Sequence, residues 1–359
     1  MTTDRDQFLM FLYGTMPDSN NLFYFLVAIT LMCLAFHGTR PAEFSQLDET
    51  QQPRRPTIFV SVASYRDSEC SKTINELFKK ASFPHRVFVG VCEQNSQDMN
   101  ESCSGDHDPQ FDKNIRKITV PHTEAKGPCV ARYMCSTLYG GETYFMQIDS
   151  HTDMVTGWDE RCVTEISKCP HPDRSILSMY PNDRDKYSES TTDVPVMCSG
   201  QFNQSGLPTF KAAMKPQSFL HGTPRPNAFI AAGFLFAPGD FVRLVPFDPS
   251  LVHLFQGEEI LLSARAWTSG FDIYTPSQNV CMHHYLRPKE HKSWNDVDQT
   301  TYQSQKAASE SRARRLLALE EPVITDDRYG MGYVRSLHAY WNHAGIDPHT
   351  RQVHGDFCK

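Results

Sequence analysis

Between Ile58 and Asp149 the chain repeats one pattern: a short apolar run of strand length, a helical or polar stretch, then another apolar run. Ile58-Phe-Val-Ser-Val-Ala63 reads as a strand, Thr73-Ile-Asn-Glu-Leu-Phe-Lys-Lys80 as a helix, and Arg86-Val-Phe-Val-Gly-Val-Cys92 as a second strand. Continuous apolar runs belong to strands covered on both faces, so this succession predicts a βαβ unit. A polar excursion at Asn95 to Lys113 precedes a third strand at Ile115 to Val120. Gly127-Pro128 then opens a helix, because proline suits a first turn whose N–H has no partner, and Gly140-Gly141 closes it. Thr143 to Ile148 is the fourth strand, ending at Asp149. The expected class is α/β, with a single Rossmann-like mixed sheet flanked by helices.

Beyond Asp149 the alternation is less regular. Ser175 to Tyr180, Phe229 to Ala237 and Phe271 to Thr275 read as extended, and Glu258 to Trp267 as helical. Asn182 to Asp193 is too polar for core and predicts a surface loop, one able to fold over a ligand. Gln299 to Leu319 predicts a helix with Leu316, Leu317 and Leu319 as its buried end. Residues 57–320 are therefore expected to form one domain, with 321–359 as a C-terminal extension. Before it, an N-terminal segment at 1–21, ending in the polar turn Pro17-Asp-Ser-Asn-Asn21, leads to an uncharged apolar run at 22–36, then a stem at 37–56. The run is short of the roughly 17–25 residues of a membrane span, so a signal-anchor, a signal peptide and a buried helix are all compatible with it.

A net charge of −7 provides no basic field, which argues against nucleic acid as partner. Fifteen His and eleven Cys include no CxxC pair, so a structural zinc site is not expected. With Cys33 set apart in the N-terminal run, the other cysteines can be disulfides of a secretory lumen or buried thiols. Sequons at Asn100 and Asn203 lean towards the lumen.

Four places carry chemistry. Phe145-Met-Gln-Ile-Asp149-Ser-His151 delivers a carboxylate and an imidazole to the C-terminal end of a strand, where open α/β sheets bind ligands. That pair suits Mn²⁺ or another divalent ion able to hold a diphosphate, although a strand-to-turn boundary capped by Asp149 explains it equally well. The first strand ends in Ser64-Tyr65-Arg66-Asp67, a polar cluster placed for a nucleotide. No Gly-rich phosphate loop is present, which argues against a dinucleotide-binding enzyme and a P-loop NTPase. Phosphates must be held otherwise, for which Arg132 on the neighbouring helix is a candidate, as is a merely solvated role for it. Gly257-Glu258-Glu259 opens a helix with two carboxylates, catalytic or simply favourable to the helix dipole. Cys281-Met-His283-His284-Tyr285 offers an imidazole pair as a further metal ligand.

In this order, the segments Ile58 to Asp67, Lys126-Gly-Pro-Cys-Val-Ala-Arg132, Gln147-Ile-Asp-Ser-His151, Gly257-Glu-Glu259 and His283-His-Tyr285 together resemble the GlcNAc-type polypeptide glycosyltransferases, distant relatives of the polypeptide GalNAc-transferases that share the Asp-Ser-His triplet. The resemblance covers about residues 56–290. It implies a GT-A fold, UDP-GlcNAc as donor, Mn²⁺ as cofactor and retaining transfer to a hydroxyl of a polypeptide acceptor, on Thr, Ser or hydroxyproline. It assigns the metal to Asp149, His151 and His283, with His284 as a less direct candidate. Ser64, Tyr65, Arg66, Asp67 and Arg132 fall at the nucleotide, together with Asp149, and Glu258 faces the donor sugar with Glu259 beside it. The 40 residues after Leu319 leave no room for an appended lectin domain, so acceptor choice is expected to rest on the catalytic domain. The apolar run at 22–36 resembles the Golgi members, implying a single-pass membrane protein of the secretory pathway, with a cytoplasmic location as the alternative. A non-catalytic UDP-sugar-binding protein of the same fold, and a transferase for another UDP-hexose or a glycan acceptor, are the competing expectations.

Overall fold

The expected strands form where apolar residues run unbroken. β1 (Ile58–Tyr65), β2 (Val87–Asn95), β3 (Ile115–Pro121) and β4 (Tyr144–Asp149) all lie in one eight-stranded sheet. α1 (Cys70–Lys79) crosses from β1 to β2, and α2 (Pro128–Ser136) from β3 to β4. The computed structural model describes residues 55–97, 101–187 and 191–359. The N-terminal segments expected at 1–21, 22–36 and most of 37–56 lie outside the described residues, as does the sequon at Asn100. Among the described residues no helix is long and apolar enough to cross a membrane.

After β4 the chain forms β5 (Thr152–Met154), α3 (Trp158–Ser167), β6 (Ser175–Ser178), β7 (Asn182–Asp183), a hairpin of β8 (Val194–Phe202) and β9 (Pro208–Lys215), then β10 (Arg225–Asn227) and β11 (Phe234–Pro238). It continues through α4 (Phe241–Leu244), α5 (Glu258–Thr268), β12 (Asp272–Thr275), β13 (Cys281–His283), α6 (Gln299–Leu316) and α7 (Leu337–Ala344), and ends on the small pair β14 (Ile346–Asp347) and β15 (Gln352–Val353). The large sheet runs β10-β12-β6-β11-β4-β1-β2-β3. β4, β1, β2 and β3 are parallel, while β11 is antiparallel to both β4 and β6. The sheet is thus mixed, and Val60, Val62, Phe145, Met146, Ile148 and Phe236 within it are fully buried.

Two readings change. Phe229–Ala237 is a strand only from Phe234; the residues before it bend, because side chains rather than a ladder take their backbone N–H groups. Asn227 Oδ1 accepts from Ala228 and Phe229, the Ser263 and Ser178 hydroxyls from Ile230 and Ala231, and Glu259 Oε1 from Ala232. The polar stretch from Asn182 is not a lid at its start: Asn182–Asp183 is β7, parallel to β13, with the Asn182 amide on Asn279 at 2.6 Å. Residues 188–190 of that stretch lie outside the described residues. Residues 321–359 contribute Tyr340, Trp341, Ala344 and Ile346 to the apolar cluster that holds α5, and Cys358 is disulfide-bonded to Cys198. Cys70 pairs with Cys103, and among the described residues six cysteines are buried free thiols.

Candidate active site

β1 and β4 are parallel neighbours in the register Ala63↔Asp149, so the polar end of β1 and Asp149 reach the same edge of the sheet. A turn at Ser150-His151 leads into β5, which pairs antiparallel with β13 so that Thr152 faces His283. The His284 N–H donates to the His151 carbonyl at 3.2 Å, and the His151 and His283 rings meet edge to face at 4.4 Å. Backbone pairing over 130 residues apart therefore places ligand atoms of Asp149, His151 and His283 within 4.8 Å of one another. His284 points elsewhere: its Nδ1 meets Glu69 and Arg184, the latter at 2.7 Å, and it is no part of that trio.

Arg132 stands against Asp149, one turn into α2. Its guanidinium is buried, donating to Asp149 Oδ1 at 2.8 Å and to Glu258 Oε2. Glu258 is 93% buried, and its other oxygen, Oε1, has no partner. Burial raises the Asp149 carboxyl, but the His283 hydrogen bond and the Arg132 charge outweigh it and hold the group well below the usual range. Gly257 caps α5 at φ +108°, and a Cβ there would stand 2.6 Å from the Leu207 side chain, so glycine is required where the two glutamates begin. Glu259 turns inward, accepting from Ala232 N–H at 2.9 Å and Tyr180 hydroxyl at 2.7 Å. Desolvation pushes its carboxyl up to about 7 in spite of those bonds. It props the bent segment before β11 rather than facing the cleft with a free oxygen.

The β1 residues divide. Asp67 is buried and accepts from Ser150 Oγ at 2.6 Å and, at 2.8 Å, from His151 Nδ1. It is the carboxylate behind a histidine that fixes which ring nitrogen carries the proton and leaves Nε2 as the lone-pair atom. Tyr65 lines the cleft, yet its hydroxyl and the Arg66 guanidinium both bond Asp296, at 2.6 and 2.8 Å. Ser64 is buried away from the cleft with its hydroxyl unpartnered.

Tyr65, Asp67, Arg132, Asp149, His151, Glu258 and His283 border a cleft of about 540 Å³. An Asp with two His suits a borderline divalent ion such as Mn²⁺, and the 3.2 Å between Asp149 Oδ2 and His283 Nε2 matches the roughly 3 Å edge of a six-coordinate ion with bonds of about 2.1 Å. Gly233 keeps the approach open: a Cβ there would lie 3.3 Å from Asp149 Oδ2. The trio fits the ion. Sequence reasoning passed over Arg287, Phe255 and Trp294, which also line the cleft. A basic residue four positions past His283 was the available signal for Arg287; nothing local marks the two aromatics, which meet at 5.9 Å from distant segments.

A sequence model of the family described as Glycosyltransferase (GlcNAc) matches residues 57–110 and 104–350. A comparison with curated proteins found no match. Among solved structures, GalNAc-T7 with UDP, GalNAc and Mn²⁺ is similar at 13% identity and a TM-score of 0.50, over 82% of this chain and 55% of that one. The chain thus spans about half the length of that relative. Staphylococcus aureus TarS 1–349 with UDP-GlcNAc (11% identity, TM-score 0.42, 72% of each chain) and the Pyrobaculum calidifontis mannosyltransferase with GDP-Man and Mn²⁺ (13%, 0.44, 75% and 66%) are similar at a lower level. The architecture is the GT-A type.

Proposed function

Because the chain belongs to the glycosyltransferase (GlcNAc) family, we propose that it is a metal-dependent, retaining transferase that moves GlcNAc from UDP-GlcNAc to a hydroxyl of a polypeptide, on Thr, Ser or hydroxyproline. The convergence of Asp149, His151 and His283 at the rim of a large cleft, with Arg132 and Glu258 beside them, carries this reading. Cleaving a sugar–phosphate bond builds negative charge on the diphosphate and positive charge on the sugar. Asp149, His151 and His283 would hold Mn²⁺, which supplies Lewis-acid stabilisation of that diphosphate. Arg132 adds a fixed positive charge on the same side, and the Glu258 carboxylate, at the cleft wall, brings negative charge towards an oxocarbenium-like sugar. In retaining transfer the departing phosphate can take the acceptor's proton, so no side-chain base is needed.

Exposed Phe255 and Trp294 at the cleft mouth support an acceptor laid across it, since aromatic faces bind extended peptide or sugar at low entropic cost. The disulfides Cys70–Cys103 and Cys198–Cys358 favour a secretory lumen over the cytoplasm, with the apolar run at 22–36 as the anchor. The test is turnover of a panel of UDP-sugars by the purified chain, with Mn²⁺ or EDTA and hydroxyl-bearing peptides. Peptide-stimulated, Mn²⁺-dependent consumption of UDP-GlcNAc, abolished by Asp149→Ala in a protein of unchanged circular dichroism, is expected. Full activity of that variant would sink the site assignment, and preference for another sugar nucleotide would overturn the donor.

A further inference from the structure

Arg287 lies on the segment 285–298, which joins β13 to α6. Leu286 beside it is 73% exposed, whereas the Arg287 side chain is only 9% exposed, because it reaches back into the cleft. Its Nη1 is 3.0 Å from Asp67 Oδ2 and its Nη2 is 3.1 Å from His151 Nε2. The other ring nitrogen, Nδ1, faces the Asp67 carboxylate, which only accepts and so makes Nδ1 the protonated one. A guanidinium has no acceptor atom either, so Arg287 donates to the Nε2 lone pair. That lone pair is the one His151 would offer a metal, and it cannot serve both. A divalent cation beside the guanidinium would also repel it.

We propose that Arg287 is an exchangeable cation of the metal site: entry of a divalent ion at Asp149, His151 and His283 expels its Nη2 from His151 and shifts the 285–298 segment that carries it. This rests on the metal-site reading above. Tyr285 anchors the start of that segment, its hydroxyl donating to the Pro181 carbonyl at 2.8 Å, and beyond it the exposed contacts give way easily: Glu290 to Ser68 at 3.1 Å, Asp296 to Tyr65 and Arg66, and Trp294 edge-on to Phe255. Metal occupancy is thereby coupled to the position of Trp294 at the cleft mouth.

The test is Mn²⁺ titration of the full chain after EDTA treatment and dialysis, without nucleotide, reading free Mn²⁺ by electron paramagnetic resonance and Trp294 emission, the latter assigned with Trp294→Phe. Removing the competitor in Arg287→Ala should tighten Mn²⁺ binding about 10- to 100-fold, the worth of one hydrogen bond to a charged donor. A residue that merely steadied His151 would give the opposite sign, so unchanged or weaker binding overturns the exchange. In the wild type, Trp294 emission should shift with the same half-saturation as Mn²⁺ binding; in Arg287→Ala it should start near its shifted position. Should that variant misfold, the wild type decides: Mn²⁺ must speed proteolysis within 285–298 as well as shift Trp294, and a flat signal during binding overturns the coupling. His151→Ala separates the two readings. If the wild type binds no Mn²⁺, or His151→Ala binds it as well, the metal site itself fails.

Discussion

Arg132→Met tests the electrostatic design of the site most directly. The arginine is 5% exposed and neutralises two carboxylates, Asp149 and the 93%-buried Glu258. Methionine retains much of the volume, so the change removes charge and hydrogen bonds with little cavity. Removing one partner of a buried ion pair costs roughly 3–5 kcal/mol, because the carboxylates left behind are desolvated and repel each other. At about 2–3 °C per kcal/mol for a domain of this size, the melting temperature should fall by roughly 6–15 °C. The loss should be relieved by Glu258→Gln in the same chain, which removes one orphaned charge, recovering about 2 kcal/mol in urea denaturation at pH 7. Mn²⁺ should protect the variant too, since it neutralises Asp149. A single variant within about 1 kcal/mol of wild type, or a double variant less stable than Arg132→Met alone, would refute the reasoning.

Three further outcomes are expected. Asp67→Asn should weaken Mn²⁺ binding about 10- to 100-fold in calorimetry, since the carboxylate behind His151 sets its tautomer and orientation. Glu259 is raised from 4.5 to about 7, so the folded state holds this proton better than the unfolded chain; stability should therefore decline by about 3 kcal/mol as pH rises through 4.5–7, a slope that denaturation curves of Glu259→Gln should lack. Cys198→Ala with Cys358→Ala should lower stability by about 2–4 kcal/mol, because that disulfide closes a loop of 160 residues; a loss matched by reducing agent on the wild type, and none on the variant beyond the second disulfide, is the check in thermal melts.

The first half of the fold was readable because its signals are local. β1 to β4 are unbroken apolar runs, and Gly127-Pro128 marks the start of α2 by chain stereochemistry alone. The same logic misread Phe229–Ala237, whose residues have strand composition but whose backbone donors are taken by Asn227, Ser263, Ser178 and Glu259, three of them remote in sequence. It also misjudged Asn182: a polar residue looks like surface, yet its amide is matched by Asn279 in the interior.

The sequence by itself determined that Asp149 and His151 emerge together from a strand end and that Arg132 and Glu258 each lie near the start of a helix, since those follow from short-range periodicity and capping. Tertiary structure decided what they meet. The pairing of β5 with β13 selected His283 over the adjacent His284. Packing of α2 on β1 and β2, beside the end of β4, turned Arg132 from a helix arginine into the shared partner of two carboxylates. Asp67 and Glu259, both carboxylates beside motif residues, became supports for His151 and for the bend before β11. A carboxylate has the same local signature whether it binds a ligand or a neighbouring donor. Only the three-dimensional placement of donors, more than 80 residues away for Asp67, determines which it does.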